Sequence, residues 1–302
     1  MKCAPRPSPR VRSALRAFFA HDGVPVGLIA IALMLGTYAL LGLPPSVPLL
    51  IASGCGAVGV YQLDRSLGLS PEDRINRPAR TRWMQAHRRY VVATIVGAGA
   101  VGGLMLPLLR PETVIGGAAL GAVGLLHVSP VVRGRRLKAW GTLKPIVVSG
   151  VWATGAVLLP VLEAGYPVTA GVGALLGYRF ALVLVNTLVA DVGDRVGDAQ
   201  AGLRTWATRW PVSMVLRGAY VVLGGILIGG VGAVGWGGAP PLLLIDLVGV
   251  LLLGGVVRRV QADRAWAHHM AVDAVIAWPL VPFLVMRVGE HLEGMLNICS
   301  PP

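Results

Sequence analysis

Apolar stretches close to the length of a lipid hydrocarbon layer recur along this chain, and they constrain its fold more than any other feature. A helix needs roughly 20 such residues to cross the layer, where no water can satisfy its backbone polar groups. The stretches fall at about 23–42, 46–63, 90–109, 112–128, 144–162, 169–190, 213–235, 239–257 and 271–289. They predict an all-α polytopic membrane bundle of nine transmembrane helices. Composition agrees: 55% of the 302 residues are hydrophobic and only 14% are charged. With a mean hydropathy of +0.69, the chain is too apolar for a soluble domain of this length.

Lys and Arg in short loops collect on the cytoplasmic side of a membrane, so the 27 basic residues test the topology. With the N-terminus in the cytoplasm, all but Arg110, Arg179 and Arg287 fall on that side. An integral protein of a bacterial cytoplasmic membrane is expected, with membrane lipid as its surroundings. The pI near 10.8 is explained by basic residues at helix ends next to lipid, so no nucleic-acid partner is expected. Cys3, Cys55 and Cys299 are too scattered for a disulfide framework, and His268–His269 is the only histidine pair, which argues against zinc and redox chemistry. The basic segment 1–22 precedes an apolar run too long for a signal-peptide core and is expected to stay as part of the first anchor.

No compositional break divides residues 1–302, so a single membrane domain is expected. The external connections, "LPPS" at 43–46 and "WGGAPP" at 236–241, are short, whereas the segments 64–89, 129–143, 191–212 and 258–270 hold most of the polar chemistry. Any active site should therefore lie on the cytoplasmic face. Glycine runs such as 97–103 and 224–235 fit close helix packing. A faint repeat links "ARTRW" (79–83), downstream of Asp64, with "ATRW" (207–210), downstream of Asp191.

The segment "NTLVADVGDRVGDAQAGLRT" (186–205) ends a long apolar run with Asp191, Asp194 and Asp198. On a helix these three share one face. Such anions repel unless a cation separates them, and magnesium, with hard oxygen ligands drawn from one or two carboxylates, waters and phosphates, suits the pattern. The plainer alternative is an acidic loop paired with Arg195 and Arg204. A second acidic group, Asp64, Glu72 and Asp73, follows another helix, and Arg74, Arg77, Lys144, Arg195 and Arg204 supply cations for phosphate. Acid for a metal, base for phosphate and an apolar bundle together describe a lipid-tailed diphosphate as substrate. Asn186 could face the same cavity or bond between helices. Tyr61, Trp152 and Tyr178 could stabilise a cation through their rings, and Asp263 and Asp273 could close the mouth or stay solvated.

These residues resemble the UbiA-type superfamily of intramembrane prenyltransferases. The second motif of that family, D-x-x-D-x-x-x-D followed by Gly and Thr, is matched by Asp191, Asp194, Asp198, Gly202 and Thr205. The first is degenerate: with Asn76-Arg77-Pro78 on the family's N-R-P, Asp64 keeps one acidic position, while Val60, Tyr61 and Gly68 occupy the others. Trp140 and Lys144 resemble an aromatic-x-x-x-Lys element. The resemblance implies Mg2+ as cofactor and an isoprenyl diphosphate as donor, with transfer to an unidentified lipophilic or aromatic acceptor. It implies metal roles for Asp191, Asp194, Asp198 and Asp64, with Glu72 or Asp73 replacing missing ligands. Lys144 would bind diphosphate, helped by Arg77, Arg204, Trp140 and Asn186. The losses at 60, 61 and 68 leave three readings within the family: a divergent prenyltransferase, a terpene cyclase needing no acceptor, or an inactive membrane homologue. A cation transporter is the rival outside it, though its ionisable residues would lie near the bilayer midplane, where only Arg179 and Asp246 are expected.

Overall fold

The computed structural model describes residues 18, 21–67, 71–128, 141–260 and 272–299, and among these every regular element is helical. In chain order they are α1 (Val24–Leu41), α2 (Val47–Leu67), the short α3 (Pro71–Asn76) and α4 (Pro78–Ala86), α5 (Arg88–Met105) and α6 (Pro111–Val128). Then follow α7 (Lys144–Glu163), α8 (Ala170–Gln200), the four-residue α9 (Trp206–Arg209), α10 (Val212–Gly235), α11 (Leu242–Arg259) and α12 (Leu280–Cys299). The chain is an all-α, polytopic membrane bundle.

Among the described residues, seven helices are long and apolar enough to cross a membrane: α1, α2, α5 with its short extension, α6, α7, α8 and α10. The eighth predicted span is α11, whose 18 residues include Asp246, Arg258 and Arg259. The ninth, predicted as one run over 271–289, is broken. Residues 272–276 are helical, 277–279 form a turn, and α12 begins at Leu280. Pro279 is the physical cause, because its ring cannot fit over the carbonyl one turn behind. That carbonyl, of Val275, is taken by the Trp278 N–H at 3.0 Å instead.

Burial sorts the spans into layers. In α1, 61% of the span is buried, against 6% in α5. Helices α1, α7 and α8 form the inner wall, while α5 and α6 pack outside α2 and α7. Leu104, Val221 and Ile228 stand exposed on the outer helices, where lipid tails cost an apolar side chain nothing. One apolar cluster joins α8, α10 and α11 through residues such as Val185, Ala219 and Leu253, and a second joins α1 and α7 through Met34, Tyr38 and Val157.

Arg179 of α8 and Asp246 of α11 are both fully buried and meet at 2.8 Å. The guanidinium also lies 4.8 Å from the Tyr178 ring centre. Each charge compensates the other where water is absent, which is the behaviour of a structural ion pair. Of the N-terminal segment 1–22, only residues 18, 21 and 22 are described. Asp22 accepts from the Val24 N–H at 2.8 Å and from Gln62 Nε2 at 3.1 Å, tying the start of α1 to α2. The first copy of the faint repeat falls on α4, and the second begins on α9 and ends at its extended cap residue Trp210.

Candidate active site

Helix α8 is 31 residues long, about 46 Å at the usual rise, so it exceeds the roughly 30 Å hydrocarbon layer. Its last three turns carry Asp191, Asp194 and Asp198, one above another at spacings of three and four. The helix stops at Ala201 because Gly202 adopts φ +71°, a left-handed conformation that glycine reaches without penalty, and the Leu203 N–H closes back on the Asp198 carbonyl at 2.8 Å. The chain re-enters helix at once, with the Thr205 hydroxyl capping α9 by accepting from the Thr208 N–H at 3.3 Å.

Each of the three carboxylates is held by a different residue. Lys144, the first residue of α7, donates from Nζ to Asp191 Oδ1 at 2.7 Å. Arg77, between α3 and α4, grips Asp194 in fork fashion through Nε at 3.3 Å and Nη2 at 3.1 Å. Asn76, the last residue of α3, donates to Asp198 Oδ1 at 3.5 Å and accepts from the Gly197 N–H at 2.8 Å. A Cβ at Gly197 would run into the Asn76 amide, so glycine is what allows α3 to lie against α8. The predicted alternative partners of the triplet, Arg195 and Arg204, are exposed.

The electrostatics follow from this layout. The Lys144 charge acts on all three carboxylates. Burial works against the Arg77 charge, and Asp194 beside it outweighs that penalty, leaving the guanidinium pKa above its ordinary value. Arg80 is pushed down to about 10 by burial and then by the neighbouring Arg77 and Arg65 charges. Asp191 is 1% exposed and Asp198 4% exposed, and the Oδ2 atom of each is buried without a hydrogen-bond partner. Buried carboxylate oxygens are costly in that state. Among the described residues, no three His, Cys, Asp or Glu side chains form a ready-made metal cage.

The first acidic group is placed less directly. Asp73 pairs with Arg80 at 2.7 Å, inside the α3–α4 corner. Glu72 lies near enough for its charge to act on Asp198. Asp64 is half-buried on α2, where its charge acts on the adjoining Tyr61 and Arg65. Arg204 is exposed, although the next residues are anchored: Trp206 Nε1 donates to the Thr142 carbonyl at 2.9 Å, bringing α9 to the start of α7. Trp140 and Asp263 lie outside the described residues.

Below the carboxylates is a cleft lined by Tyr61, Val148, Trp152, Asn186, Thr187 and Asp273, among others. Thr187 lies one turn deeper than Asp191 on the same face of α8, and Val148 and Trp152 continue the face of α7 that begins at Lys144. Tyr61 and Trp152 meet edge to face with ring centres 6.1 Å apart. Asn186 lines the cleft and donates from Nδ2 to the Val272 carbonyl at 2.8 Å. Two contributors were not among the expected site residues, although Asp273 was expected either to close the mouth or to stay solvated. Asn76 had a signal, its place before Arg77-Pro78. Asp273 had only its position in the last polar segment.

The sequence matches no protein-family model and no curated protein. Solved structures do resemble the chain. A UbiA homologue from Archaeoglobus fulgidus, bound to GPP and Mg2+, superposes with a TM-score of 0.61 at 15% identity, covering 88% of this chain and 99% of the other. An apo UbiA homologue from Aeropyrum pernix K1 gives 0.60 at 13% identity, over 85% and 98%. A structure of digeranylgeranylglyceryl phosphate synthase gives 0.56 at 11% identity, over 91% and 98%. The chain has the fold of the UbiA homologues over most of its length.

Proposed function

We propose that the chain is a magnesium-dependent enzyme of the UbiA type that cleaves an isoprenyl diphosphate and transfers the isoprenyl group to an acceptor within the membrane. The observation that carries this reading is the row Asp191, Asp194, Asp198, each held by a separate donor, on a fold shared with a homologue solved with GPP and Mg2+. The active site is assigned to the cytoplasmic face, because the carboxylates sit at the helix ends where the basic residues collect.

The residues fit the metal. Mg2+ takes one or two protein carboxylates and completes its shell with water and substrate phosphates, so a three-ligand cage is not required. The buried Oδ2 atoms of Asp191 and Asp198 are two oxygens that lack a donor. When bound, the metal supplies positive charge to the diphosphate as it leaves. Asp64 and Glu72 are the candidates to serve it from the first acidic group, and Asp73 is a weaker one because it already pairs with Arg80.

The protein's own cations complete the diphosphate site. Lys144 carries three N–H donors, one of them directed at Asp191, and Arg77 carries five, two of them directed at Asp194. Both cations stand beside the row of carboxylates, where they would stabilise the charge that builds on the leaving group. Val148, Val183 and Ile276 in the cleft beneath offer an apolar wall for the isoprenyl tail, and a bound tail would keep out the water that could capture an allylic cation.

Terpene cyclisation is the second reading, favoured by one observation. Tyr61 stands at an acidic position of the family's first motif and pairs with Trp152 over the cleft, a surface suited to a carbocation. Purified protein in nanodiscs, given geranyl, farnesyl or geranylgeranyl diphosphate with and without magnesium, separates the readings. Magnesium-dependent diphosphate release only with an added acceptor pool supports transfer. Release without acceptor, giving a cyclic hydrocarbon or alcohol, supports cyclisation. No release or binding of any donor, or near-normal release from both Asp191→Ala and Asp194→Ala, overturns the enzyme reading.

A further inference from the structure

The cleft contains a carboxylate that the diphosphate site does not use. Asp273 comes from the short helical segment 272–276, far from both acidic motifs in sequence, and lines the cleft with Tyr61, Trp152, Asn186 and Thr187. Its position is fastened from α8, because Asn186 Nδ2 donates to the carbonyl of the adjoining Val272 at 2.8 Å. The Pro279 break just beyond lets this segment end at Ile276 while the next helix starts afresh.

The chemistry of the surroundings gives this carboxylate a task. Val148, Val183 and Ile276 also line the cleft, and an anion among such side chains is costly unless it is compensated or needed. The charged and titratable groups on which the Asp273 charge acts include Tyr61 and Arg65 of α2 and Arg77 at the α3–α4 junction. Arg65 is itself held in place by bonds to the carbonyls of His21 at 3.2 Å and Asp22 at 2.5 Å. Two guanidinium groups and a phenol therefore face this carboxylate across the cleft.

We propose that Asp273 takes up the proton released in the reaction, and that the cleft it lines is where the allylic carbon meets its nucleophile. The proposal rests on the isoprenyl diphosphate reading above. In transfer, the bond between C1 of the donor and its diphosphate oxygen breaks and the electron pair leaves with diphosphate. An electron pair of the acceptor forms the new bond to C1, and the proton that the acceptor loses passes to Asp273. In cyclisation, the pair comes from a double bond of the donor itself, and the proton leaves the carbon next to the final cation. Either route sheds one proton, and Asp273, which lines the cleft beside Tyr61 and Trp152 and not the row that faces the diphosphate, is the carboxylate placed to take it.

The test compares the parent chain with Asp273→Asn, Asp273→Glu and Asp191→Ala in nanodiscs. One readout is magnesium-dependent binding of geranylgeranyl diphosphate. The other is single-turnover product formation from the same donor, with an extract of the source membranes as acceptor pool. Asp273→Asn should bind the donor within about twofold of the parent while product formation falls about 100-fold or more, the usual contribution of a positioned base. Asp273→Glu should recover part of that loss. Product formation by Asp273→Asn within about threefold of the parent overturns the proposal and leaves the enzyme reading intact. Loss of donor binding to the level of Asp191→Ala overturns it differently, by moving Asp273 into the diphosphate site. A parent chain that neither binds the donor nor forms product removes the enzyme reading and the proposal with it.

Discussion

Arg77 and Asp194 are 117 residues apart in the chain, yet the guanidinium meets the carboxylate with two parallel bonds, Nε to Oδ1 at 3.3 Å and Nη2 to Oδ2 at 3.1 Å. That contact joins the short helices after α2 to the acidic end of α8. It fixes the distance across the mouth of the site.

A planar fork is what the Arg77 position requires, so charge alone should not suffice. Arg77→Lys is expected to lower donor turnover about tenfold, equivalent to ~1.4 kcal/mol, and Arg77→Ala to lower it further. Steady-state diphosphate release with geranylgeranyl diphosphate measures both. Equal turnover for the lysine variant and the parent would show that the bidentate geometry is dispensable.

Lys144 and Asp191 should behave as a unit in stability and apart in activity. Lys144→Met leaves a carboxylate whose side chain is only 2% exposed without its cation, a loss expected to cost about 3–5 kcal/mol. Adding Asp191→Asn should recover much of that stability while leaving the enzyme inactive. Thermal unfolding in detergent, read beside diphosphate release, provides the comparison, and additive losses of stability would refute the coupling.

The approach of α3 to α8 depends on the missing side chain at 197. Gly197→Ala should destabilise by about 1–3 kcal/mol through the collision with the Asn76 amide. Asn76→Ala in the same chain should relieve part of that cost, because the obstructing amide is gone. Thermal melts of the two single variants and the double variant read this directly.

The Arg179–Asp246 pair separates a structural role from a transport role. Arg179→Met alone is expected to cost about 3–5 kcal/mol, whereas Arg179→Met with Asp246→Leu should return to within about 2 kcal/mol of the parent. Diphosphate release by the double variant should stay within about threefold of the parent. A folded double variant without activity would place the pair in the functional machinery.

Much of this architecture was legible because membranes impose simple rules. Hydropathy located seven spans that the described residues support out of the nine expected, and the spacing of Asp191, Asp194 and Asp198 put them on one face of α8. The partners of those carboxylates were harder. Arg77 and Lys144 were among the candidate cations, but nothing local says that Arg77 takes Asp194 or that Asn76 takes Asp198, since both contacts depend on how α3 folds back. The break near Pro279 was obscured because residues 271–289 stay apolar across it, and apolarity reports depth rather than backbone continuity. Asp273 was one isolated acid. Only the fold brings it beside Tyr61.

The length of α8 has one more consequence. A 31-residue helix that carries Arg179 in its buried half is long enough for Asp191, Asp194 and Asp198 at its end to reach the depth of lipid headgroups. An amphiphilic donor dissolved in the leaflet already carries its phosphates at that level. Encounter is then a search in two dimensions, and the quantity that sets the rate is the donor's mole fraction among the surrounding lipids. Diluting the bilayer with inert lipid should slow the enzyme even while the amount of donor per volume of solution stays the same.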